Sequence, residues 1–369
     1  MSFQDLFELK QQQNIHNFSA GPCILADEVL LEAAKGVMNY NNTGLSIVEM
    51  SHRSSEFVAV MEEARSLVRE LLKVPESHEI LFLQGGASLQ FTMIPQNLLS
   101  KEGKAAYINT GTWASGAIKE AQLLGNVDII NSSEDKNFSY FPKNIKIEGD
   151  YDYIHYTSNN TIFGTQFEEE LNTNIPVVCD MSSDIFSRHI DVSKYALIYA
   201  GAQKNLGPAG STLVIIKKDI LGKSGRAIPK LLNYQNHIDK DSMLNTPPCF
   251  SVYTAMLNLR WLKNNGGIHE MRKRSIQRSS MLYSEIDRNS LFEGTVVNLE
   301  DRSKMNVTFI LKDESLNNEF LDLAKSKNLS GIKGHRSVGG FRASMYNALK
   351  IESTQALIDC MIEFEKIHS

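Results

Sequence analysis

The spacing of apolar residues changes twice along the chain. Residues 24–40 and 55–73 carry apolar side chains at helical spacing. From about 79 to 221, short apolar runs alternate with helical patterns, notably at 88–99 and 112–124. The runs lie at 79–84, 105–109, 127–130, 152–157, 176–180, 195–200 and 211–217. Continuous apolar strands separated by helices predict a mostly parallel α/β sheet covered on both faces, with an antiparallel last strand as an option.

The C-terminal part predicts a second, smaller unit. A proline-containing linker at 222–249 precedes two long helical patterns, at 251–264 and 268–289. Strand and helix patterns then alternate, which favours a small α+β domain joined by the N-terminal segment. These patterns lie at 304–311, 317–328, 341–346 and 352–367. We therefore expect a large domain over 24–265 and a small domain made of 1–23 and 266–369, with the polar stretch 131–149 as a surface loop.

Composition narrows the classes of function. The 369 residues include 38 Lys and Arg against 43 Asp and Glu, a net charge of −5 that offers no basic excess for nucleic acid or an anionic membrane. The four cysteines form no CxxC pair, so no metal site is predicted. Residues 1–13 lack the apolar region of a secretory signal, and no stretch reaches the roughly 20 apolar residues of a membrane span. We expect a cytoplasmic protein with free thiols.

The first candidate for chemistry is Lys204, in GAQKNLGPAG at 201–210. It directly follows the apolar run 195–200, at a strand end where open α/β sheets bind ligands. A lysine among neutral groups loses its proton more easily, and a neutral amine can form a Schiff base with a carbonyl group. An exposed lysine in a tight Gly-rich turn explains this segment equally well.

The second candidate is Asp180, which ends the apolar run 176–180. An acidic residue at this place is often a helix N-cap. Alternatively, it is a carboxylate at the same sheet edge as Lys204, one strand away. A pyridoxal cofactor needs both groups, a lysine for the imine and an acid that keeps the pyridine nitrogen protonated.

Two weaker signals lie at other strand ends. In QGGASLQF, at 84–91, two glycines between a strand and a helix can hold a phosphate through backbone N–H groups, although the full dinucleotide and P-loop patterns are absent. Trp113 stands where a strand meets a helix. Packing is its ordinary role there, and stacking on an aromatic cofactor is the alternative.

Basic residues form two clusters, in MSHRSSEF and in GHRSVGGFRAS. Exposed arginines in salt bridges are the ordinary interpretation of such residues. The alternative is a set of guanidinium forks that bind carboxylate and phosphate, which suits a dianionic substrate. The clusters contain His52, Arg53, His335, Arg336 and Arg342.

Together these segments resemble the phosphoserine aminotransferase family, which belongs to class V of the fold-type I pyridoxal-phosphate enzymes. The similarity begins at NFSAGPC (17–23) and ends at GHRSVGGFRASMYNA (334–348), leaving the first 14 residues outside it. SHR, KNLGPAG and GHRSVGGFRAS are its most specific motifs. The resemblance implies a large domain with a mostly parallel central sheet, a small α+β domain, and a homodimer with shared sites.

The resemblance also implies roles for residues that bind pyridoxal 5′-phosphate. Lys204 would form the Schiff base and shuttle the proton, Asp180 would pair with the pyridinium, and Trp113 would stack on the ring. Thr161 would lie beside the ring. The phosphate would be held by Gly86, Ala87 and Gln203, and by Asn245 and Thr246 of the neighbouring subunit. Many family members have Arg or Cys where this chain has Ala87, so backbone N–H groups, or Ser88, would serve there.

For the substrates, the resemblance implies binding of the α-carboxylate by Arg342. The phosphate of the substrate, or the distal carboxylate of glutamate, would be held by His52, Arg53, His335 and Arg336, the first two donated across the dimer. The implied reaction is a ping-pong transfer from L-glutamate to 3-phosphohydroxypyruvate in serine biosynthesis. Whether 4-phosphohydroxy-L-threonine also serves, in pyridoxine biosynthesis, stays open.

The sequence leaves two rival functions, of which the first is another class V enzyme and the second a protein of a different class. Small-substrate class V enzymes, such as alanine–glyoxylate aminotransferases, do not need the two basic clusters. A cysteine desulfurase needs a mobile nucleophilic cysteine, which neither Cys249 nor Cys360 suits. A regulatory protein that binds the cofactor without turnover is the other rival, and the intact Lys204, Asp180 and Arg342 argue against it.

Overall fold

A seven-stranded sheet forms the centre of the computed structural model, which describes residues 3–368. Its strand order is β2-β8-β7-β6-β5-β3-β4, and β8 alone in this sheet runs antiparallel to its neighbours. The mostly parallel α/β sheet expected from the apolar runs is therefore confirmed. The strands are β1 (His16–Asn17), β2 (His78–Leu83), β3 (Lys104–Asn109), β4 (Asn126–Ser132), β5 (Tyr153–Thr157), β6 (Val177–Asp180), β7 (Leu197–Gly201), β8 (Thr212–Lys217), β9 (Phe292–Gly294), β10 (Asn306–Leu311), β11 (Leu329–Ser330) and β12 (Phe341–Ser344).

Helices cover both faces of this sheet, because its central strands are apolar on both sides. On β7, for example, Ile198 packs in one hydrophobic cluster and Leu197 in another, on the opposite face. The helices are α1 (Phe3–Gln13), α2 (Asp27–Asn39), α3 (Ser55–Leu72), α4 (Gly86–Leu98), α5 (Thr112–Gln122), α6 (Ala202–Asn205), α7 (Tyr234–Ile238), α8 (Cys249–Asn264), α9 (Gly267–Arg288), α10 (Asn317–Ser326) and α11 (Ile351–His368). None of the helices within 3–368 is long and apolar enough to cross a membrane.

The C-terminal part forms a separate hydrophobic cluster around the antiparallel strands β9, β10 and β12. Phe18, from the N-terminal segment, is fully buried in it, and β1 pairs with β11. This packing supports the expected small domain, whose boundaries stay a prediction. Helix α9 begins in one cluster, with Ile268, and ends in the other, with Ile286, so it bridges the two parts.

Some elements differ from the sequence prediction. Helix α1 occupies part of the N-terminal stretch to which no structure was assigned, and α7 lies inside the expected linker. The glycine-rich segment after β7 opens with a four-residue helix, α6, rather than with a loop. The strand β4 continues to Ser132, so it includes the first two residues of the predicted loop 131–149.

Candidate active site

The candidate site lies at the carboxyl ends of the parallel strands. Strand β6 ends at Asp180, which is 5% exposed, and the adjacent β7 leads directly into α6, which carries Lys204. One carboxylate oxygen of Asp180 accepts a hydrogen bond from the Ser182 amide at 2.9 Å. The hydroxyl of Ser182 in turn accepts a bond from the Gly201 amide at 3.0 Å. The ends of the two strands are thus tied together, and the expected neighbourhood of Asp180 and Lys204 is present.

Lys204 is held in a setting that favours its neutral form. Burial lowers the pKa of its amine from the ordinary value of 10.5. Arg342 lowers this pKa further, while the carboxylates of Asp180 and Asp184 oppose the shift. The Lys204 Nζ lies 5.3 Å from the centre of the Trp113 ring. An amine of lowered pKa beside a flat aromatic face can react with a carbonyl compound that lies against that face.

A chain of hydrogen bonds joins Trp113 to the arginine of the C-terminal part. Trp113 Nε1 donates to Thr161 Oγ1 at 3.1 Å, and Arg342 donates to the Thr161 carbonyl at 2.8 Å. Burial lowers the pKa of Arg342, and its Nε has no protein partner. A half-buried guanidinium beside Lys204 whose Nε is still without a partner is well placed to bind a carboxylate. Thr161, Trp113, Lys204 and Arg342 therefore belong to one site.

The expected phosphate cradle lies at the beginning of α4. Strand β2 ends two residues before Gly85, and both Gly85 and Gly86 have positive φ, of 85° and 67°. A Cβ at Gly86 would meet no atom within 4 Å, so there is open space beside this glycine. Helix α4 has 13 residues, and its dipole favours an anion at this end. Ala87 follows Gly86 in the first turn and packs its methyl group against the core, so only its backbone N–H is available to an anion.

Gln203 and the segment 245–246 lie at other borders of the site. The Gln203 carbonyl accepts a hydrogen bond from the Cys23 amide at 3.0 Å, which fixes the backbone one residue before Lys204. Asn245 and Thr246 are both exposed, and the Thr246 carbonyl accepts a bond from the Gln84 side chain at 2.7 Å. Their exposure leaves them free to contact a second subunit.

The basic clusters are brought to the site unequally. His335 and Arg342 line one open cleft of ≈ 1290 Å³, which meets the site at its arginine end. The pKa of His335 is lowered by burial and by the charges of Arg342 and Arg336. His52 is buried with an unpartnered Nε2, and Arg53 is exposed. Within residues 3–368, no hydrogen bond or ion pair connects His52 or Arg53 to Lys204 or Arg342 of the same chain.

One contact of the site was missed by sequence reasoning. The Cys23 thiol donates to the Lys204 carbonyl, and burial raises the pKa of that thiol to about 12. Nothing in the spacing of the four cysteines indicates this contact, because it joins the N-terminal segment to α6 across 181 positions. A thiol with a pKa this high stays protonated at neutral pH, so Cys23 acts as a donor here and not as a nucleophile.

Comparison with known proteins agrees with this geometry. The aminotransferase class-V family model matches residues 15–357. A phosphoserine aminotransferase of Flavobacterium johnsoniae is 58% identical over 95% of this chain and 98% of its own length. The chain belongs to the phosphoserine aminotransferase family. Among solved structures, the phosphoserine aminotransferase of Bacillus circulans subsp. alkalophilus has a TM-score of 0.94, with 41% identity over 97% of this chain and 100% of its own.

The cofactor of the family is pyridoxal phosphate. The phosphoserine aminotransferase of Trichomonas vaginalis, solved with this cofactor bound, has a TM-score of 0.90 and 36% identity, and the match covers 95% of this chain and 100% of that one. The protein is thus a pyridoxal-phosphate-dependent aminotransferase of fold type I that acts on small molecules. Its own residues fit the cofactor, because an amine of lowered pKa lies 5.3 Å from an indole ring, a buried carboxylate ends the adjacent strand, and a helix N-terminus follows another strand of the same sheet.

Proposed function

We propose that the protein transfers the amino group of L-glutamate to 3-phosphohydroxypyruvate, yielding O-phospho-L-serine and 2-oxoglutarate in serine biosynthesis. The observation that carries this proposal is the hydrogen-bonded path from Arg342 through Thr161 to Trp113, whose ring lies 5.3 Å from Lys204 Nζ. A carboxylate bound by Arg342 would hold an amino or keto acid within reach of this amine. The high identity to named phosphoserine aminotransferases supports the choice of substrates.

Bound pyridoxal phosphate supplies the electron sink that makes the Cα proton of an amino acid acidic. The Nζ of Lys204 would accept this proton and later return it, which is general acid–base catalysis at near-neutral pH. The carboxylate of Asp180 would hold the ring nitrogen of the cofactor in its protonated form. Arg342 binds the α-carboxylate of both substrates and so fixes which bond at Cα faces Lys204.

A single basic pocket must accept the phosphate of one substrate and the γ-carboxylate of the other. We assign this task to His335 and Arg336 of one chain and to His52 and Arg53 of its partner in a homodimer. The lack of any bond from Arg53 to Lys204 within one chain supports this sharing, as does the exposure of Asn245 and Thr246. The four free cysteines support a cytoplasmic location.

A panel of substrates tests the proposal. Purified protein is incubated with pyridoxal phosphate and one donor–acceptor pair, and the products are identified by NMR. Glutamate with 3-phosphohydroxypyruvate should yield O-phosphoserine faster than alanine with glyoxylate yields glycine, and cysteine should release no sulfide. A preference for alanine and glyoxylate would overturn the proposal. Including 4-phosphohydroxy-L-threonine shows whether the same basic pocket also serves a substrate of pyridoxine biosynthesis.

A further inference from the structure

Asn205 follows Lys204 on the short helix α6, and its side chain reaches two other segments of the chain. Its Oδ1 accepts a hydrogen bond from the Asn347 amide at 2.9 Å. Its Nδ2 donates to the Ile185 carbonyl at 2.6 Å. Asn205 is only 4% exposed, so water cannot replace these two bonds.

Each of these segments carries a group of the active site. Ile185 lies in the turn that follows Asp180, at the end of β6. Asn347 lies just beyond β12, the strand that carries Arg342. One side chain therefore connects the stretches of backbone that bear the amine, the ring-nitrogen acid and the carboxylate-binding guanidinium.

The hydrogen bonds that join these three segments, called the junction below, include one from a second asparagine. The side chain of Asn347, 3% exposed, donates to the Phe186 carbonyl at 3.0 Å. Phe186 has a φ of 61°, a left-handed conformation that is unfavourable for a bulky residue and needs support from its surroundings. Arg278, from α9, donates to the carbonyls of Asn347 and Leu349 and holds the far side of the same segment.

Helix α6 needs such external ties. It has four residues, and a single helical turn fixes several backbone angles for one hydrogen bond, so it is unstable on its own. The Cys23 bond to Lys204 and the two bonds of Asn205 are side-chain hydrogen bonds that restrain it. Of these, only Asn205 reaches both the Asp180 and the Arg342 segments.

We propose that Asn205 is a positioning residue that, together with Asn347, fixes the relative positions of Lys204, Asp180 and Arg342. This inference rests on the proposed roles of those three residues. The chemistry at Lys204 depends on the substrate carboxylate and the amine having one relative position, and a displacement of about 1 Å can cost about 100-fold in rate. Breaking the junction should therefore lower reactivity and cofactor affinity beyond what a loss of stability explains.

The test compares Asn205→Leu with a matched control, Asn97→Leu. Asn97 is 2% exposed, and its side chain bonds the main chain at Met93, Leu232 and Tyr234 with distances of 2.7–3.1 Å. It lies near the carboxyl end of α4, roughly 16 Å along the helix axis from Gly86. Both variants lose buried hydrogen bonds, but only Asn205 joins segments of the site. Asn347→Leu, which removes the bond to Phe186 alone, serves if Asn205→Leu does not fold.

Three quantities are measured well below the melting temperature: the affinity of the apoprotein for pyridoxal phosphate, the rate of the glutamate half-reaction, and the melting temperature itself. We expect Asn205→Leu to weaken cofactor binding and slow the half-reaction by about 10- to 100-fold each, and Asn347→Leu to do so by a smaller factor. Asn97→Leu should melt earlier and leave both within about twofold of the wild type, since distant sites act independently.

If the Asn205 variant melts early but keeps wild-type affinity and rate, the residue is only structural and the inference is wrong. The same conclusion follows if only Asn347→Leu folds and it matches Asn97→Leu. A wild-type protein that does not respond to glutamate would instead overturn the proposed function itself, so the two failures are distinguishable.

Discussion

At the scale of single residues, the site depends on charges that are partly removed from water. Burial lowers the pKa values of both Lys204 and Arg342, and the charge of Arg342 lowers the pKa of Lys204 further. Asp180 opposes the shift of Lys204. The amine is therefore neutral over a wider pH range than an exposed lysine, which its reaction with a carbonyl compound requires.

This balance predicts the pH dependence of cofactor uptake. The rate at which apoprotein takes up pyridoxal phosphate should rise with pH and level off above the pKa of Lys204, below 10.5. Arg342→Leu removes a cation that lowers this pKa, so the half-maximal pH should move up. Asp180→Asn removes an anion that raises it, so the half-maximal pH should move down. Stopped-flow absorbance measures both shifts, and two shifts of the same sign would contradict the electrostatic account.

Arg342→Lys tests whether the guanidinium fork matters, since it keeps the charge but not the bidentate geometry. We expect the glutamate concentration that half-converts the bound cofactor to rise about 10-fold or more. Arg302→Lys is the control, because Arg302 lines the same cleft but is engaged by Asp287 at 2.6 and 2.8 Å. Equal effects of the two substitutions would contradict the proposal that Arg342 binds the substrate carboxylate.

At the scale of elements, the N-terminus of α4 combines open space beside Gly86 with a helix dipole. Ser88 is exposed in the first turn of this helix. Ser88→Asp should stabilise the apoprotein by about 0.3–1 kcal/mol through the dipole. The same carboxylate should weaken pyridoxal-phosphate binding, because it repels the phosphate. Denaturant unfolding and absorbance titration, with Ser88→Ala as control, measure these opposite effects. Unchanged cofactor affinity would place the phosphate elsewhere.

The elements that sequence reasoning found are those with a strong apolar pattern. The strands of the central sheet were all expected, because they appear as short apolar runs, and all except the edge strand β4 are almost entirely buried. Two-residue strands such as β1 and β11 have no periodicity to detect, and they exist only through pairing across the chain. Helix α6 could not be predicted from its glycine-rich segment, because the hydrogen bonds of Asn205 that stabilise it involve residues distant in the sequence.

The residues of the site likewise fall into those that the sequence pattern indicates and those that it does not. Lys204 and Asp180 were found because strand ends of a parallel sheet lie along one edge. Their roles, and those of the other site residues, came from the resemblance to a family. The path from Arg342 to Trp113 depends on the carbonyl of Thr161, a backbone group that no residue pattern indicates. His52 and Arg53 stay predictions, because they lie apart from Lys204 within one chain.

At the scale of the whole molecule, the proposed function places a local excess of positive charge around one pocket, although the net charge of the chain is −5. Part of this charge comes from the C-terminal part of the chain, with His335, Arg336 and Arg342. The rest would come from a second subunit. The proposed function thus requires a dimer in which two chains contribute residues to each site.

Hybrid dimers test this sharing directly. Lys204→Ala and Arg53→Ala should each be inactive, but mixing and reassembling them should restore activity to about a quarter of wild type, since random pairing leaves one intact site in half of the dimers. Mixing Lys204→Ala with Arg342→Ala should restore none, because those groups belong to the same chain. No recovery in the first mixture would show that Arg53 does not act across the dimer.

In the proposed function, one lysine, Lys204, transfers the proton first in the reaction with glutamate and then in the reaction with a phosphorylated keto acid. The most direct measurement is the absorbance spectrum of the purified protein with pyridoxal phosphate, recorded before and after glutamate and then after 3-phosphohydroxypyruvate. We expect glutamate to abolish the long-wavelength band and the keto acid to restore it, while Lys204→Ala binds the cofactor without cycling. A band that answers alanine or cysteine but not glutamate would contradict the account.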